Sequence, residues 1–180
     1  MTIDLFDKKP PMLGDSLVDI KKLLGNVPWI TKDGNFDLVQ FPIDGVLKQA
    51  LSEDDQEFRT GLSMLSSMFR HGRTEAGVFL MGVLLNCEDN WEKRIKIVEA
   101  MTGIHTKPCA DLLFGELKRV KSSNTTRRYL GAVIEALSSM PTELIEDGFQ
   151  TLAEDRSFSA KMREKFRAVL EKQSFEDYGW

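Results

Sequence analysis

Apolar residues along this chain recur at intervals of three and four, in blocks of about a dozen positions set apart by short polar breaks, and that rhythm predicts helices. Asp15 can cap a first helix whose inner face carries Leu17, Ile20 and Leu24, with Gly25 as its stop. Residues 28–42 break the rhythm. Two short runs of β-forming residues, Trp29-Ile30-Thr31 and Phe36-Asp37-Leu38-Val39, flank an Asp33-Gly34 pair, which fits a small hairpin or an ordered loop. From Ile43 the helical spacing resumes. A short block over 43–51 is followed by Ser52 to Asp55, which reads as a capping box for a helix through Phe69 with Phe58, Leu62, Leu65, Met68 and Phe69 on its stripe.

The block over 74–85 is apolar on nearly every side, so it has to lie between neighbours, and it is the expected centre of the core. Close helix packing is the expected reason for its glycines, Gly77 and Gly82. Asp89 to Glu92 opens a further helix that stops at Gly103. Four more helices are expected over 108–120, 125–137, 141–153 and 160–170, with Pro108 and Pro141 in first turns, where a missing amide hydrogen costs little.

These helices fall into pairs. First members begin near 43, 74, 107 and 141, and second members near 55, 90, 125 and 159. The last pair echoes the one before it: Tyr129, Val133 and Leu137 correspond to Met162, Phe166 and Leu170, each about 33 positions further on. One helix pair cannot bury both of its apolar stripes, whereas stacked pairs share a continuous core. A small polar residue stands at the start of each second helix: Asp55, Asp89, Asn124 and Asp155. An arginine follows in three of the four pairs, Arg59, Arg94 and Arg128, and in the fourth the basic residue slips to Lys161 or Arg163.

The stretch 43–170 resembles the HEAT repeat family, most closely over 124–137, Asn-Thr-Thr-Arg-Arg-Tyr-Leu-Gly-Ala-Val-Ile-Glu-Ala-Leu. The mid-helix proline common in HEAT first helices is missing here. The resemblance implies an all-α, right-handed solenoid of about four helix pairs. Asp55, Arg59, Asp89, Arg94, Asn124 and Arg128 are then expected to form a structural ladder of turn residues and arginines. The expected organisation is one domain over 1–180: a covering segment, 1–42, the helix pairs, 43–173, and an aromatic tail, 174–180.

Composition narrows the function classes. Of the 180 residues, 42% are hydrophobic and 29% charged, enough for a real core and a solvated surface, and the net charge of −4 gives no global basic field to attract nucleic acid or anionic lipid. The opening residues lack a basic and apolar leader, and the longest apolar run, 77–85, falls far short of a membrane span. Cys87 and Cys109 do not make a disulfide framework, so a cytoplasmic protein with reduced thiols is expected.

No phosphate-binding glycine loop, zinc-protease helix or nucleophile elbow is present. His105 and Cys109 are four apart, but Pro108 opens the helix and leaves His105 outside it, so no metal, cofactor or catalytic residue is expected. Some alkylpurine DNA glycosylases are built on HEAT-like repeats, and Asp89 with Trp91 would be the counterparts of their carboxylate and aromatic group. Cations do collect near the turns, notably Lys118, Arg119, Lys121, Arg127 and Arg128. The outer faces of the second helices nevertheless mix signs: Glu92, Lys96 and Glu99 on one, Arg127 and Glu135 on another, and Arg167 between Glu164 and Glu171 on the third. The expected function is therefore a non-enzymatic binding module or scaffold for a protein partner, contacted through Glu92, Lys96, Glu99, Arg127, Glu135 and Arg167. A nucleic-acid-binding protein with repair chemistry is the second expectation, and a small inhibitor or immunity-type protein the third.

Phe175, Tyr178 and Trp180 lie close together in the tail, where they can cover the outer flank of the last helix pair. Deleting residues 174–180 should lower the unfolding midpoint and increase binding of a hydrophobic dye. An unchanged midpoint together with loss of a partner would make the tail a docking motif instead.

Overall fold

The computed structural model describes residues 43–177 together with Thr2–Ile3 and Phe36–Asp37, with side chains for Ile43 and for residues 45–173. The expected helix over 15–24 and the run 29–31 lie outside the described residues. Thr2–Ile3 (β1) pairs antiparallel with Phe36–Asp37 (β2), Thr2 opposite Asp37 and Ile3 opposite Phe36. Every other regular element among the described residues is a helix. The chain divides into two compact units, Met1–Met101 and Thr102–Trp180, and the division falls between the second and third helix pairs.

The first unit holds α1 (Asp44–Ala50), α2 (Asp55–Arg70), α3 (Thr74–Asn86) and α4 (Trp91–Met101). Asp54 begins α2 by accepting from the amides of Gln56 and Glu57 at 3.0 and 2.9 Å, so the cap stands one residue before the expected Asp55. Ser52 accepts from the Asp54 amide at 3.2 Å and donates to Glu57 at 2.6 Å. The buried stripe of α2 is Phe58, Gly61, Leu62 and Leu65, while Met68 and Phe69 are only half-buried. The helix stops at His71, where Gly72 takes a φ of 90° that a side chain would resist.

In α3, Ala76, Gly77, Phe79, Leu80, Met81, Val83 and Leu84 are all buried, as an all-round apolar sequence requires. Helix α2 packs on α1, α3 packs on both α2 and α4, and the alternate helices α2 and α4 also touch. The closest approach comes at Gly61 and not at the expected Gly82. A Cβ at Gly61 would overlap the backbone of Ala50 in α1, whereas one at Gly82 would meet nothing within 4 Å. A glycine among helix formers thus marks a contact only where a neighbouring backbone arrives, and the neighbour is invisible in local sequence.

The second unit holds α5 (Lys107–Arg119), α6 (Arg127–Ser138), α7 (Thr142–Glu154) and α8 (Ala160–Asp177). Thr106 caps α5 through the Cys109 amide at 3.4 Å, and Pro108 sits in its first turn. Pro141 stands just before α7, with extended-type ψ of 142°, and not inside the first turn. Helix α5 packs on α6 and on the alternate helix α7, and α7 packs on α8.

A run of rings passes through this core. Phe114 meets Phe149 edge-on at 5.2 Å, Phe149 lies 5.9 Å from Phe166, and Phe158 meets Phe166 edge-on at 5.4 Å. Gly148 lets the Phe114 ring lie against α7, since a Cβ there would overlap it. Helix α8 continues past the expected end at Leu170. Residues 174–177 therefore extend the helix, while their side chains and residues 178–180 lie outside the described residues. Buried Gln173 explains the extra length: it accepts from Thr142 at 2.6 Å and donates to the carbonyls of Ser138 and Met140 at 3.1 and 3.3 Å.

The two glycines give opposite expectations. Gly61→Ala should destabilise by about 1–3 kcal/mol, because overpacking against backbone outweighs the better helix former. Gly82→Ala should stabilise by up to about 1 kcal/mol. Urea unfolding of both variants checks the pair of signs.

Candidate functional site

In the first unit the charged ridge runs between the start of α2 and the outer face of α4. Asp55 accepts from Arg59 at 2.7 Å, one turn along α2, and from Lys96 of α4 at 2.9 Å. Lys96 and then Arg59 hold the Asp55 carboxyl below its ordinary value. Lys93 lies 5.1 Å from the centre of the Phe58 ring and directs its ammonium toward the carbonyls of Ser52 and Glu53 at 3.5 and 3.4 Å. Glu92 and Glu99 are exposed on the same helix. Their spacing with Lys96 sets all three on one face. Sequence spacing also reached Asp55 and Arg59, but it did not foresee Lys96 as their cross-helix partner.

Arg94 takes a role that spacing did not suggest. Its side chain is buried, only 3% exposed, and donates to the carbonyls of Leu84 and Cys87 at 3.3 and 2.6 Å, satisfying the C-terminal end of α3. Asp89 is exposed in the preceding turn, and the start of α4 is held by Asn90, which accepts from the Lys93 amide at 3.2 Å. Trp91 is half-buried at the first position of α4.

In the second unit, Asn124 accepts from Arg127 at 2.9 Å. The turn itself is closed by Thr126, which donates to the Lys121 carbonyl at 2.7 Å and accepts from the Ser123 amide at 2.9 Å. Arg127, Arg128 and Glu135 are exposed on α6. Arg167 is exposed on α8 and donates to Glu164 at 3.3 Å and to the Ala153 carbonyl at 3.4 Å. Ser159 serves the start of α8 by accepting from the Met162 amide at 3.3 Å, while Asp155, four residues earlier, accepts from the Ser157 amide at 2.8 Å.

A buried acid joins α5 to α6. Glu116, 5% exposed, accepts from the fully buried Tyr129 hydroxyl at 2.5 Å and from two nitrogens of Arg119 at 3.1 and 3.0 Å. Short and forked contacts of this kind are charge-assisted, and they hold the acid in place without bulk water. The sequence carried a signal for this cluster. Glu116 falls on the apolar stripe that includes Leu113 and Leu117. Tyr129, counted among the apolar positions of the repeat, brings a hydroxyl that must find a partner when buried.

Burial pushes the Cys109 thiol up to about 12, so it is protonated at neutral pH and is no thiolate nucleophile. His105 is exposed and Cys87 half-buried at the end of α3. Among the described residues, no group of three or more His, Cys, Asp or Glu side chains is placed to hold a metal ion, and no helix is long and apolar enough to cross a membrane. No family model, curated protein or solved structure matches the chain.

The Glu116 cluster is open to a double-mutant cycle. Tyr129→Phe should cost about 1–3 kcal/mol, since it leaves a buried carboxylate short of a donor. Glu116→Gln combined with Tyr129→Phe should cost less than the two single changes added, with a coupling of about 0.5–3 kcal/mol. Strict additivity in chemical denaturation would show that the contact carries no stability of its own.

Proposed function

We propose that the chain is a right-handed α-solenoid of HEAT-like helix pairs that acts as a non-enzymatic binding module for a protein partner. The period of about 33 residues supports the solenoid. So does packing between alternate helices, α2 on α4 in one unit and α5 on α7 in the other. Stacked pairs need such contacts.

One observation carries the functional reading. Arg94, Glu116 and Gln173, buried polar groups, each bind one helix to another or to the end of its neighbour. The charged residues of α4, α6 and α8 that face outward are mixed in sign: Glu92, Lys96 and Glu99, then Arg127 and Glu135, then Arg167. Surfaces of mixed charge favour selective contact with another protein over contact with a uniform polyanion. The two free cysteines, one of them buried, support a reducing compartment such as the cytoplasm.

Capture from native extract with the full chain tests this. A protein partner should be retained by wild type and lost or weakened severalfold by Glu92→Lys/Glu99→Lys, because reversed rim charges act chiefly on association. Recovery of nucleic acid without protein would overturn the proposal, as would capture indifferent to every charge reversal on α4 and α6.

A further inference from the structure

Helices α7 and α8 carry opposite charges at the same spacing. On α7, Glu143, Asp147 and Glu154 stand at positions i, i+4 and i+11, with Glu146 beside them, and uncharged Gln150 fills i+7. On α8, Lys161, Lys165 and Lys172 stand at i, i+4 and i+11, and uncharged Ala168 fills i+7. All of these residues are exposed. In a helix such positions form one stripe, about 16 Å long at a rise of about 1.5 Å per residue.

Helix α7 contains no lysine or arginine. Among the described residues, the carboxylates of Glu143, Glu146, Asp147 and Glu154 form no ion pair or hydrogen bond, nor do the ammonium groups of Lys161 and Lys165. Lys172 also interacts within the chain, so Lys161 and Lys165 carry the basic stripe. The other charges of α8 lie off it. Glu164 and Glu171 fall with Arg167 about a quarter turn round the helix, and Arg167 donates to Glu164 at 3.3 Å. Arg163 is half-buried. Glu176 and Asp177 follow beyond the stripe, with side chains outside the described residues. In the connecting turn, Asp155 and Arg156 are opposite in sign.

Neither stripe helps its own helix. Like charges four apart, as at Glu143 and Asp147 or at Lys161 and Lys165, repel one another along a helix. Glu154 closes α7, at the negative end of that helix's dipole, and Lys161 stands in the first turn of α8, at the positive end. Each charge is misplaced in its own helix and suited to the other, yet the two helices of one chain do not pair them.

We propose that the acidic stripe of α7 docks on the lysine stripe of α8 in a second copy of this chain, and the reverse, so that the protein self-associates. Charge and spacing together select this occupant. The intervals of four, three and four positions read the same in both directions, so an antiparallel approach sets Glu154 against Lys161 of the other copy while Glu143 approaches Lys172. A two-fold arrangement uses each contact twice. Helices α4 and α6 take no part in it.

Sedimentation velocity of the full chain over a range of concentrations tests the proposal. Wild type should form dimers at low salt that dissociate as salt rises. Asp147→Lys/Glu154→Lys should weaken self-association by about tenfold or more, and so should Lys161→Glu/Lys165→Glu. The changes at 154 and 161 place each new charge at the favourable end of its helix, so an unchanged helical spectrum is expected and verifies folding. Mixed one to one, the two variants should associate with each other, because each supplies the sign the other has lost. Wild type that stays monomeric at low salt and every concentration overturns the proposal. Dimers indifferent to both reversals overturn it too, as does a mixture that fails to restore association. A monomeric wild type that binds an oligolysine peptide, with binding lost in Asp147→Lys/Glu154→Lys, overturns it in favour of a basic partner.

Discussion

A buried helix end leaves backbone groups without partners, and short connections between helices bury several such ends. Both units are shaped by the need to satisfy them. In the first, α3 is apolar on nearly every side, and the carbonyls of Leu84 and Cys87 at its close receive a side chain from the next helix. Arg94 reaches them from α4 and ties the start of that helix to the end of α3. In the second, the carbonyls of Ser138 and Met140 close α6, and Gln173 reaches them from near the far end of α8. The length of α8 follows from that contact: a helix ending at Leu170 would stop three residues short of the group that anchors it.

Packing between these tied ends is achieved by two different devices. Helices α1 and α2 meet backbone to backbone where Gly61 has no side chain. Helices α5, α7 and α8 meet through the rings of Phe114, Phe149 and Phe166, with Gly148 giving the first ring its room. The Glu116–Tyr129 contact adds a polar fastening between α5 and α6, and its forked Arg119 partner reaches the surface at the same turn that carries the other cations. Structural and surface charge thus meet at one place: Arg119 is both a clamp on a buried acid and part of a basic edge.

This meeting clarifies which charged residues are open to a binding role. Asp55, Arg59 and Lys96 neutralise one another across α2 and α4, so much of that ridge is internally balanced. A partner gains most where the protein's own charges leave a surplus.

The sequence by itself determined the helices. Starts expected near 43, 74, 107 and 141, and near 55, 90, 125 and 159, fall within two residues of those observed, because apolar spacing, prolines and stop glycines act over one or two turns. It determined the core too: the stripe of Phe58, Leu62 and Leu65 and the all-round burial of α3 follow from periodicity. Tertiary structure decided which residue caps and which partner each charge takes. Asp54, Asn90 and Ser159 cap the helix starts where Asp55, Asp89 and Asp155 were expected, and Thr126 closes the turn where Asn124 was expected, since several polar residues in each turn compete for the same amides. Arg94 turned to carbonyls of α3, Lys96 to Asp55, and Glu116 inward to Tyr129, each across helices that only packing brings together. Periodicity is a property of one helix, whereas a hydrogen bond between helices depends on two, and so these partners became legible only once the helices were packed.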